Sequence, residues 1–267
     1  MYVNHDELSV MNYDYICTLK NANMPLVSII MPAYNSARFI SETVKSIQAQ
    51  TFTDWELLIT DDCSTDDTAL TINELAASDS RIKLEVLDKN SGCAVARNHA
   101  LQKATGRYIA FCDSDDRWVP EKLEKQIAFM QEKKCGFSYT AYFKCDEDGK
   151  PYRIVECRKS IDLRRIRKSN EIPCLTAMYD TEIAGKVYSP ELRIAQDWAQ
   201  WYKVLEKCNV AYGMQEPLAC YIVRRGSLSK KKKDNVTYNQ KVLTDVMGMG
   251  KIKAWFWYWF VTMPRKI

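Results

Sequence analysis

The chain is poor in histidine and has no closely spaced cysteines. Its 267 residues include two histidines, His5 and His99, and ten cysteines, none of which forms a C-x-x-C pair. Zinc sites use cysteine and histidine ligands at short, regular spacings. The sequence therefore excludes a zinc site of that kind, and neither histidine is well placed to act as a general base.

Glycine is scarce, and the glycine-rich loops that bind phosphate groups are missing. The chain has nine glycines, and neither G-x-x-x-x-G-K-[ST] nor G-x-G-x-x-G occurs in it. Those patterns bind nucleotide phosphates with backbone N–H groups. A phosphate ligand of this protein would therefore depend on another source of positive charge, such as a metal ion.

Long apolar runs are absent as well. The longest, Ala254 to Met263, is shorter than the roughly 20 residues of a membrane-spanning helix. Residues 1–25 lack the apolar core of a secretory leader, so we expect a cytoplasmic protein with reduced cysteines. The formal net charge of +4 is small and does not indicate nucleic-acid binding.

Positive charge is concentrated at the end of the chain. From Arg224 onward there are eleven lysines and arginines against two acidic residues, Asp234 and Asp245, and the run Trp255–Phe260 is entirely aromatic. Aromatic rings beside lysines are typical of segments that bind an anionic membrane surface. The same rings could instead pack on the protein or on another subunit. We expect peripheral membrane contact.

An acidic cluster is the main chemical signal. Asp113, Asp115 and Asp116 follow a strand-like stretch, Arg107 to Cys112. Carboxylates this close repel one another unless a cation shares their charge, and such ligands suit Mg²⁺ or Mn²⁺ bound to a diphosphate. Aspartate is also common in turns, and the cluster alone does not decide between these two interpretations.

The first half of the chain alternates between strands and helices. Apolar β-branched runs predict the strands, and apolar residues at helical spacing predict the helices. The predicted strands are Leu26–Met31, Trp55–Thr60, Ile82–Leu87 and Arg107–Cys112; the predicted helices are Arg38–Gln50, one through Leu70 and Leu75 that Ser64 or Thr65 caps, one from Ala94 through Leu101, and Pro120–Lys133. This order is typical of an α/β fold with a mostly parallel sheet and helices on both faces.

Three of the predicted loops should meet at one edge of that sheet. The loops at 32–35, 61–64 and 113–116 each follow a strand, and ligands of such sheets bind beyond the carboxyl ends of the strands. The second half predicts strands at 136–145, 152–157, 174–180 and 217–223, and helices at 195–207, 235–247 and 251–263.

Four segments in this order resemble the family 2 glycosyltransferases: Val27–Asn35, Trp55–Asp66, Asn90–Asn98 and Gly106–Trp118. A weaker match continues through Gln196–Trp198 and Tyr221–Ser229. The second half is similar to members that build bacterial surface polysaccharides such as capsule, O-antigen or teichuronic acid.

The resemblance implies a GT-A fold, in which a Rossmann-like nucleotide-binding half is joined to an acceptor half. It implies a catalytic domain at 25–230 whose two halves meet after residue 118. Composition indicates an extension at 1–24 before this domain and a basic, aromatic helical tail at 231–267 after it. The implied reaction transfers a sugar, with inversion, from a nucleotide-diphosphate sugar such as a UDP-sugar to a saccharide or polyprenyl-diphosphate-linked acceptor. That acceptor implies a location at the inner face of the cell membrane.

The resemblance also implies the donor-binding residues. Asp62 matches the position that binds the base, Asp61 shapes the same loop, and Pro32, Tyr34 and Asn35 match the loop that contacts base and ribose. Asp62 could instead be an acid near a helix start, and Tyr34 a core aromatic.

The remaining donor residues surround the diphosphate. Asp113 matches the ribose-contacting position, and Asp115, with Asp116 beside it, matches the ligand of a Mn²⁺ or Mg²⁺ ion. Arg97 matches an arginine near the nucleotide, and a guanidinium suits a diphosphate, although a solvated helix arginine is an equal alternative. Arg224 matches a late loop that closes over the diphosphate, as do Ser227 and Ser229; a surface turn is the alternative.

Asp197 matches the catalytic acidic residue of the family and is the expected general base for the acceptor hydroxyl. The family commonly has glutamate before it, where this chain has Gln196. An acid in the first turn of a helix also has a structural explanation. Two other functions remain open: a nucleotidyltransferase, and a non-catalytic nucleotide-sugar-binding protein. The oligomeric state is not predicted.

Overall fold

The computed structural model describes residues 25–224 and 232–265, with side chains over 25–224 and 236–264. The expectations for the extension at 1–24 and for Ser227 and Ser229 lie outside these residues. Within the described chain, ten strands form one sheet. They are β1 (Val27–Ala33), β2 (Trp55–Asp61), β3 (Ile82–Val86), β4 (Tyr108–Phe111), β5 (Arg117–Trp118), β6 (Phe137–Cys145), β7 (Pro151–Val155), β8 (Ser160–Asp162), β9 (Met178–Asp180) and β10 (Val210–Ile222).

Helices connect the strands and form the C-terminal segment. They are α1 (Ala37–Gln48), α2 (Thr68–Ser78), α3 (Cys93–Lys103), α4 (Lys122–Lys133), α5 (Leu163–Ile166), α6 (Thr181–Ala184), α7 (Gln196–Cys208), α8 (Lys232–Lys241) and α9 (Lys251–Trp257). Wider π-helical turns at Val242–Val246 and Tyr258–Thr262 continue α8 and α9, and short 3₁₀ turns lie at Cys174–Thr176 and Met263–Arg265. Among the described residues, no helix combines the length and apolar character required to cross a membrane.

The sheet has the order β3-β2-β1-β4-β9-β6-β10-β5. Strand β1 is parallel to both β2 and β4, and β2 is parallel to β3, which confirms the predicted α/β fold. Because the chain moves outward from β1 to β3 and then returns to β4 on the other side of β1, a crevice opens beyond the ends of β1 and β4.

Beyond β4 the sheet is mixed rather than mostly parallel. Strand β9 is antiparallel to β4 and β6, and β10 is parallel to β6 but antiparallel to β5 and β8. The strand pair β6–β7 is a hairpin. Hairpins produce antiparallel neighbours, whereas the parallel strands of the first half require helical crossovers.

Strand β1 passes through Pro32 to Ala33, although the proline predicts an earlier end. The last pair between β1 and β4 is Ile30 with Phe111. The backbone groups of alternate residues in β1 point towards β4. Pro32 is the next of these residues after Ile30 and lies beyond the last pair, so the N–H that proline lacks would have no partner in β4. Pro32 and Ala33 thus lengthen β1 up to the edge of the crevice.

The two faces of the sheet bury two apolar cores. Ile30 faces the core beneath α3 and α7, whereas Ile29 and Met31 face the core beneath α1, α2 and α4. The predicted apolar side of α7 is confirmed: Trp198 and Trp201 are buried, and their indole N–H groups donate to the Ile166 and Ile172 carbonyls at 2.6 and 3.0 Å.

Several local expectations were wrong. Helix α2 begins at Thr68 after Asp67, so Ser64 and Thr65 do not cap it. Strand β10 begins at Val210 rather than 217. The polar residues around Glu216 interrupt the apolar pattern, so the sequence does not reveal the first part of this strand, which pairs with β6 and β8.

The stretch 174–180 is also divided. It forms a 3₁₀ turn followed by β9 rather than one strand, because β9 pairs with β4 and β6 only from Met178 onward.

Gly106 precedes β4 and lies directly against β1. A Cβ atom there would lie 2.6 Å from the Ser28 nitrogen and 2.8 Å from the Val27 carbonyl carbon. The Gly106 N–H also donates to Ser28 Oγ at 2.8 Å. Both of these atoms belong to the backbone of β1, which is hydrogen-bonded to its neighbouring strands and cannot move aside freely.

We therefore expect Gly106→Ala to destabilise the protein by about 1–3 kcal/mol through overpacking. Gly250→Ala is the matched control, because nothing lies within 4 Å of that position and its φ of −59° suits any residue. It should cost less than about 1 kcal/mol as a helix cap change. Equal losses of stability in urea unfolding would contradict the proposed clash.

Candidate functional site

The loops after β1 and β2 are hydrogen-bonded to each other. The N–H of Asn35 donates to Ser64 Oγ at 2.9 Å, and Asn35 Oδ1 accepts the N–H of Thr65 at 2.9 Å. Asn35 has a φ of 45°, a left-handed conformation that asparagine tolerates better than most residues. Tyr34 is exposed, whereas Pro32 is buried within β1, so only Tyr34 is accessible to a ligand.

Asp61 and Asp62 have different environments. The N–H and hydroxyl of Ser64 both donate to the buried Asp61 carboxylate, which closes its own turn. The Asp62 carboxylate accepts the N–H groups of Ser91 and Gly92, each at 2.7 Å. Asp62 therefore fixes the loop after β2 against the start of α3.

The three carboxylates of the acidic cluster have three different partners. Arg97 donates to Asp113, Arg224 pairs with Asp115 at 2.7 Å, and the N–H of Ile222 donates to Asp116 Oδ1 at 3.0 Å. Asp113 is partly exposed, while Asp116 is turned into the interior. In the part of the chain that the structure describes, no three ligating side chains converge on one point.

Burial and mutual repulsion weaken the ionisation of this cluster. Burial raises the pKa of Asp115; Arg224 opposes the rise and Asp113 adds to it. Burial also raises the pKa of Asp116 well above its usual value, and Asp115 and Asp113 increase this shift. Full ionisation of all three carboxylates is therefore unfavourable without further positive charge, a condition that favours binding of a cation.

Arg97 is buried between the two halves of the site. It donates to Asp113 at 2.9 Å, but its Nε and Nη1 have no hydrogen-bond partner. Burial acts to lower the pKa of Arg97, whereas Cys174 and Cys93 raise it. Asp113 and Asp197 raise it further, and the net pKa lies well above its ordinary value. Asp113 thus bonds the guanidinium directly, and the charge of Asp197 also acts on it.

Asp197 lies in the first turn of α7 and is partly exposed. Asn170 Nδ2 donates to one of its carboxylate oxygens at 2.7 Å, and the N–H of Trp198 donates to the other at 2.8 Å. Ala195, before the helix, has a φ of 62°, a costly conformation for alanine. These contacts fix the direction of the Asp197 side chain.

Arg224 is the last described residue before 225–231. Besides its pair with Asp115, it lies over the Phe39 ring at 5.7 Å. The structure thus brings the predicted Arg97, Asp113 and Asp197 together, and separately joins Arg224 to Asp115.

Other site residues were not predicted from the sequence. Ser91 and Gly92 lay inside a recognised motif, so their link to Asp62 could have been proposed. Asn170 and Cys174 lie in irregular chain, where no periodic pattern indicates their neighbours.

Lys122 lies behind the acidic loop and is fully buried. Its Nζ donates to Gln126 Oε1 at 2.6 Å and lies 4.3 Å from the centre of the Trp118 ring. Burial lowers the pKa of Lys122 from 10.5 to about 7, although nearby Cys112 opposes the shift.

Comparisons with known proteins agree with this architecture. Residues 28–185 match the profile described as Glycosyl transferase family 2. TuaG of Bacillus subtilis (strain 168), a glycosyltransferase named for teichuronic acid biosynthesis, is 44% identical over 209 residues, which cover 78% of this chain and 83% of TuaG. WfgD of Escherichia coli, a UDP-Glc:α-D-GlcNAc-diphosphoundecaprenol β-1,3-glucosyltransferase, is 39% identical over 186 residues, or 70% of this chain and 72% of WfgD.

A solved structure shares the fold. TarS 1–349 of S. aureus, in complex with UDP-GlcNAc, superposes with a TM-score of 0.69 at 24% identity, over 85% of this chain and 69% of that chain. The predicted GT-A fold is confirmed.

We expect the stability of the protein to rise with pH because of Lys122. Between pH 7 and 10.5 the unfolded chain keeps a proton on this amine that the folded protein has lost. The penalty for burying the charge is therefore full below pH 7 and fades above it. Urea unfolding of the parent and Lys122→Met should show a difference in stability that changes by up to about 1.4 kcal/mol per pH unit above pH 7.

Lys103→Met is the control, because Lys103 is exposed on α3. The difference in stability between the parent and this variant should not depend on pH over the same range. A pH-independent difference for Lys122→Met would show that Lys122 is not buried as a weak base.

Proposed function

This chain belongs to glycosyl transferase family 2, and we propose that it transfers a sugar from a UDP-sugar to a saccharide linked through a diphosphate to a polyprenyl lipid. The similarity to WfgD supports this donor and this acceptor, and the similarity to TuaG supports a role in bacterial surface polysaccharide synthesis. The observation that carries the proposal is the buried Arg97, which donates to Asp113 at 2.9 Å and on which the charge of Asp197 also acts.

The donor nucleotide binds beyond the ends of β1 and β2 in this proposal. Tyr34 is exposed there, and Asn35 and Asp61 hold the two loops in shape. Each oxygen of Asp62 accepts one backbone N–H and has a second lone pair, with which it binds the imide N–H of uracil. Asp113, the partly exposed acid after β4, binds the ribose.

A Mn²⁺ or Mg²⁺ ion accompanies the diphosphate. The donor set fits such an ion: it consists of closely spaced carboxylates whose full ionisation needs further positive charge, in a sequence without a phosphate-binding loop. Asp115 is the proposed ligand, while Asp116, which is bound to Ile222, holds the acidic loop against β10. A bound ion supplies Lewis-acid stabilisation of the leaving diphosphate.

Two arginines complete the diphosphate site. Arg97 has unpaired Nε and Nη1 atoms and stabilises negative charge near Asp113. Arg224 pairs with Asp115 and turns to the phosphates when the donor binds, and the hydroxyl groups of Ser227 and Ser229 donate to the same phosphates.

Asp197 acts as the general base. It removes the proton from the acceptor hydroxyl as that oxygen attacks the anomeric carbon, the bond from this carbon to the diphosphate oxygen breaks, and UDP leaves. A single displacement inverts the anomeric carbon. Because a polyprenyl acceptor stays in the bilayer, the reaction takes place at the inner face of the cell membrane.

We expect Asp197→Asn to lower kcat about 10²- to 10⁴-fold, because the amide cannot accept the hydroxyl proton. The Kd for UDP should stay unchanged. Asp245→Asn, which replaces an exposed acid in the C-terminal segment, is the control and should retain full turnover. Measured UDP release from the two variants tests the assignment, and an Asp197→Asn enzyme with parental kcat would exclude it as the base.

Metal dependence is tested with a panel of UDP- and GDP-sugars. We expect EDTA to stop transfer and Mn²⁺ or Mg²⁺ to restore it, and Asp115→Asn should need at least about tenfold more Mn²⁺ for half-maximal UDP binding. Asp245→Asn again serves as the control. Turnover that survives EDTA would rule out the metal, and release of pyrophosphate from a nucleoside triphosphate would indicate a nucleotidyltransferase instead.

A further inference from the structure

The C-terminal helical segment 251–262 exposes a continuous row of large apolar side chains. We call this row the apolar stripe; it consists of Ile252, Trp255, Phe256, Trp259 and Phe260, which are 77%, 49%, 52%, 40% and 71% exposed. Their spacing of three and four residues places them on one helix face. The Phe256 and Phe260 rings stack with centroids 6.1 Å apart.

The opposite face of the same segment is fixed to the protein. Ala254, Tyr258 and Thr262 are buried, and the indole N–H of Trp257 donates to the Arg167 carbonyl at 2.9 Å. The segment therefore lies along the surface of the domain, with the apolar stripe pointing outward. Because the opposite face is already packed against the domain, the segment cannot rotate to bury the apolar stripe without exposing that face.

The charged side chains of the segment itself have one sign. Lys251 and Lys253 are exposed and lie on either side of it, about 100° from Ile252 around the helix. The segment 251–263 contains no acidic residue. Lysines that border an aromatic face place their charges at the level of lipid phosphates while the rings enter the acyl region.

We infer that the apolar stripe docks the protein on an anionic lipid surface, with Lys251 and Lys253 contacting the headgroups. A convex helix face bordered by lysines on both sides fits a membrane plane better than a protein groove. The inference rests on the proposed function for this choice, since a polyprenyl-linked acceptor brings the enzyme to the bilayer.

The first test is flotation of the full chain with vesicles of phosphatidylglycerol and phosphatidylcholine. We expect binding to these vesicles, weaker binding to phosphatidylcholine alone, and loss of binding in Phe256→Ser/Phe260→Ser by at least about tenfold. Tyr152→Ser/Ile154→Ser is the matched control, because both residues are exposed on β7, and it should bind like the parent.

Tryptophan quenching by brominated lipids locates the contact. Trp255 and Trp259 are exposed, whereas Trp55, Trp118, Trp198 and Trp201 are buried, so quenching on vesicles should report the stripe. Lys251→Glu/Lys253→Glu should weaken binding to the anionic vesicles at least about tenfold and remove its dependence on salt.

Parental binding by the Phe256→Ser/Phe260→Ser variant would overturn the inference, as would a failure of the parent to float. A parental dimer that this variant dissociates would also overturn it, since the stripe would then be a protein interface. Transfer to a water-soluble acceptor analogue separates this inference from the proposed function. A parent that transfers but does not float refutes only the docking surface, and one that floats but transfers nothing refutes only the enzyme activity.

Discussion

A guanidinium that is buried away from water needs negative charge beside it, and this constraint at Arg97 organises the site. Arg97 comes from α3, Asp113 follows β4, and Asp197 begins α7 in the second half of the chain. Arg97 donates to the partly exposed Asp113 at 2.9 Å, and the charge of Asp197 also acts on it. One buried cation is thus balanced by negative charge from two other parts of the chain, the loop after β4 and the first turn of α7.

The acidic loop distributes its charge in three directions. Asp113 points to Arg97, Asp115 to Arg224, and Asp116 to a backbone N–H of β10. Arg97 comes from α3 and Arg224 follows β10, so the loop is held by elements from the first and the second half of the chain. A bound diphosphate would add negative charge beside this loop. In the proposed function a metal ion then neutralises Asp115, so that Arg224 is released from Asp115 as the donor binds.

Regular features of this fold could be predicted from local sequence, and the contacts of the site could not. The strands β1 to β4 and the helices between them follow from apolar periodicity, and their loops meet where parallel strands end. The hydrogen bond between Asn170 and Asp197 depends on an irregular loop, which no periodic pattern predicts. The left-handed conformation of Ala195 could not be predicted either, because alanine rarely adopts it. Ser64 resembles a helix cap, but its hydroxyl donates to Asp61, because the turn closes before α2 begins.

The C-terminal segment and the helix α7 share one support, the short helix α5 and the residue after it. The Trp257 indole donates to the Arg167 carbonyl, the Trp198 indole donates to the Ile166 carbonyl, and the Arg167 guanidinium donates to the Tyr202 hydroxyl at 2.8 Å. Trp198 directly follows Asp197, and Tyr202 lies one turn further along α7. The orientation of the apolar stripe is therefore coupled to that of the proposed base through three buried or partly buried contacts. If the stripe lies on the bilayer, the same contacts fix the distance and the orientation of Asp197 relative to the membrane surface. An acceptor would then be selected partly by how far its hydroxyl extends from the membrane.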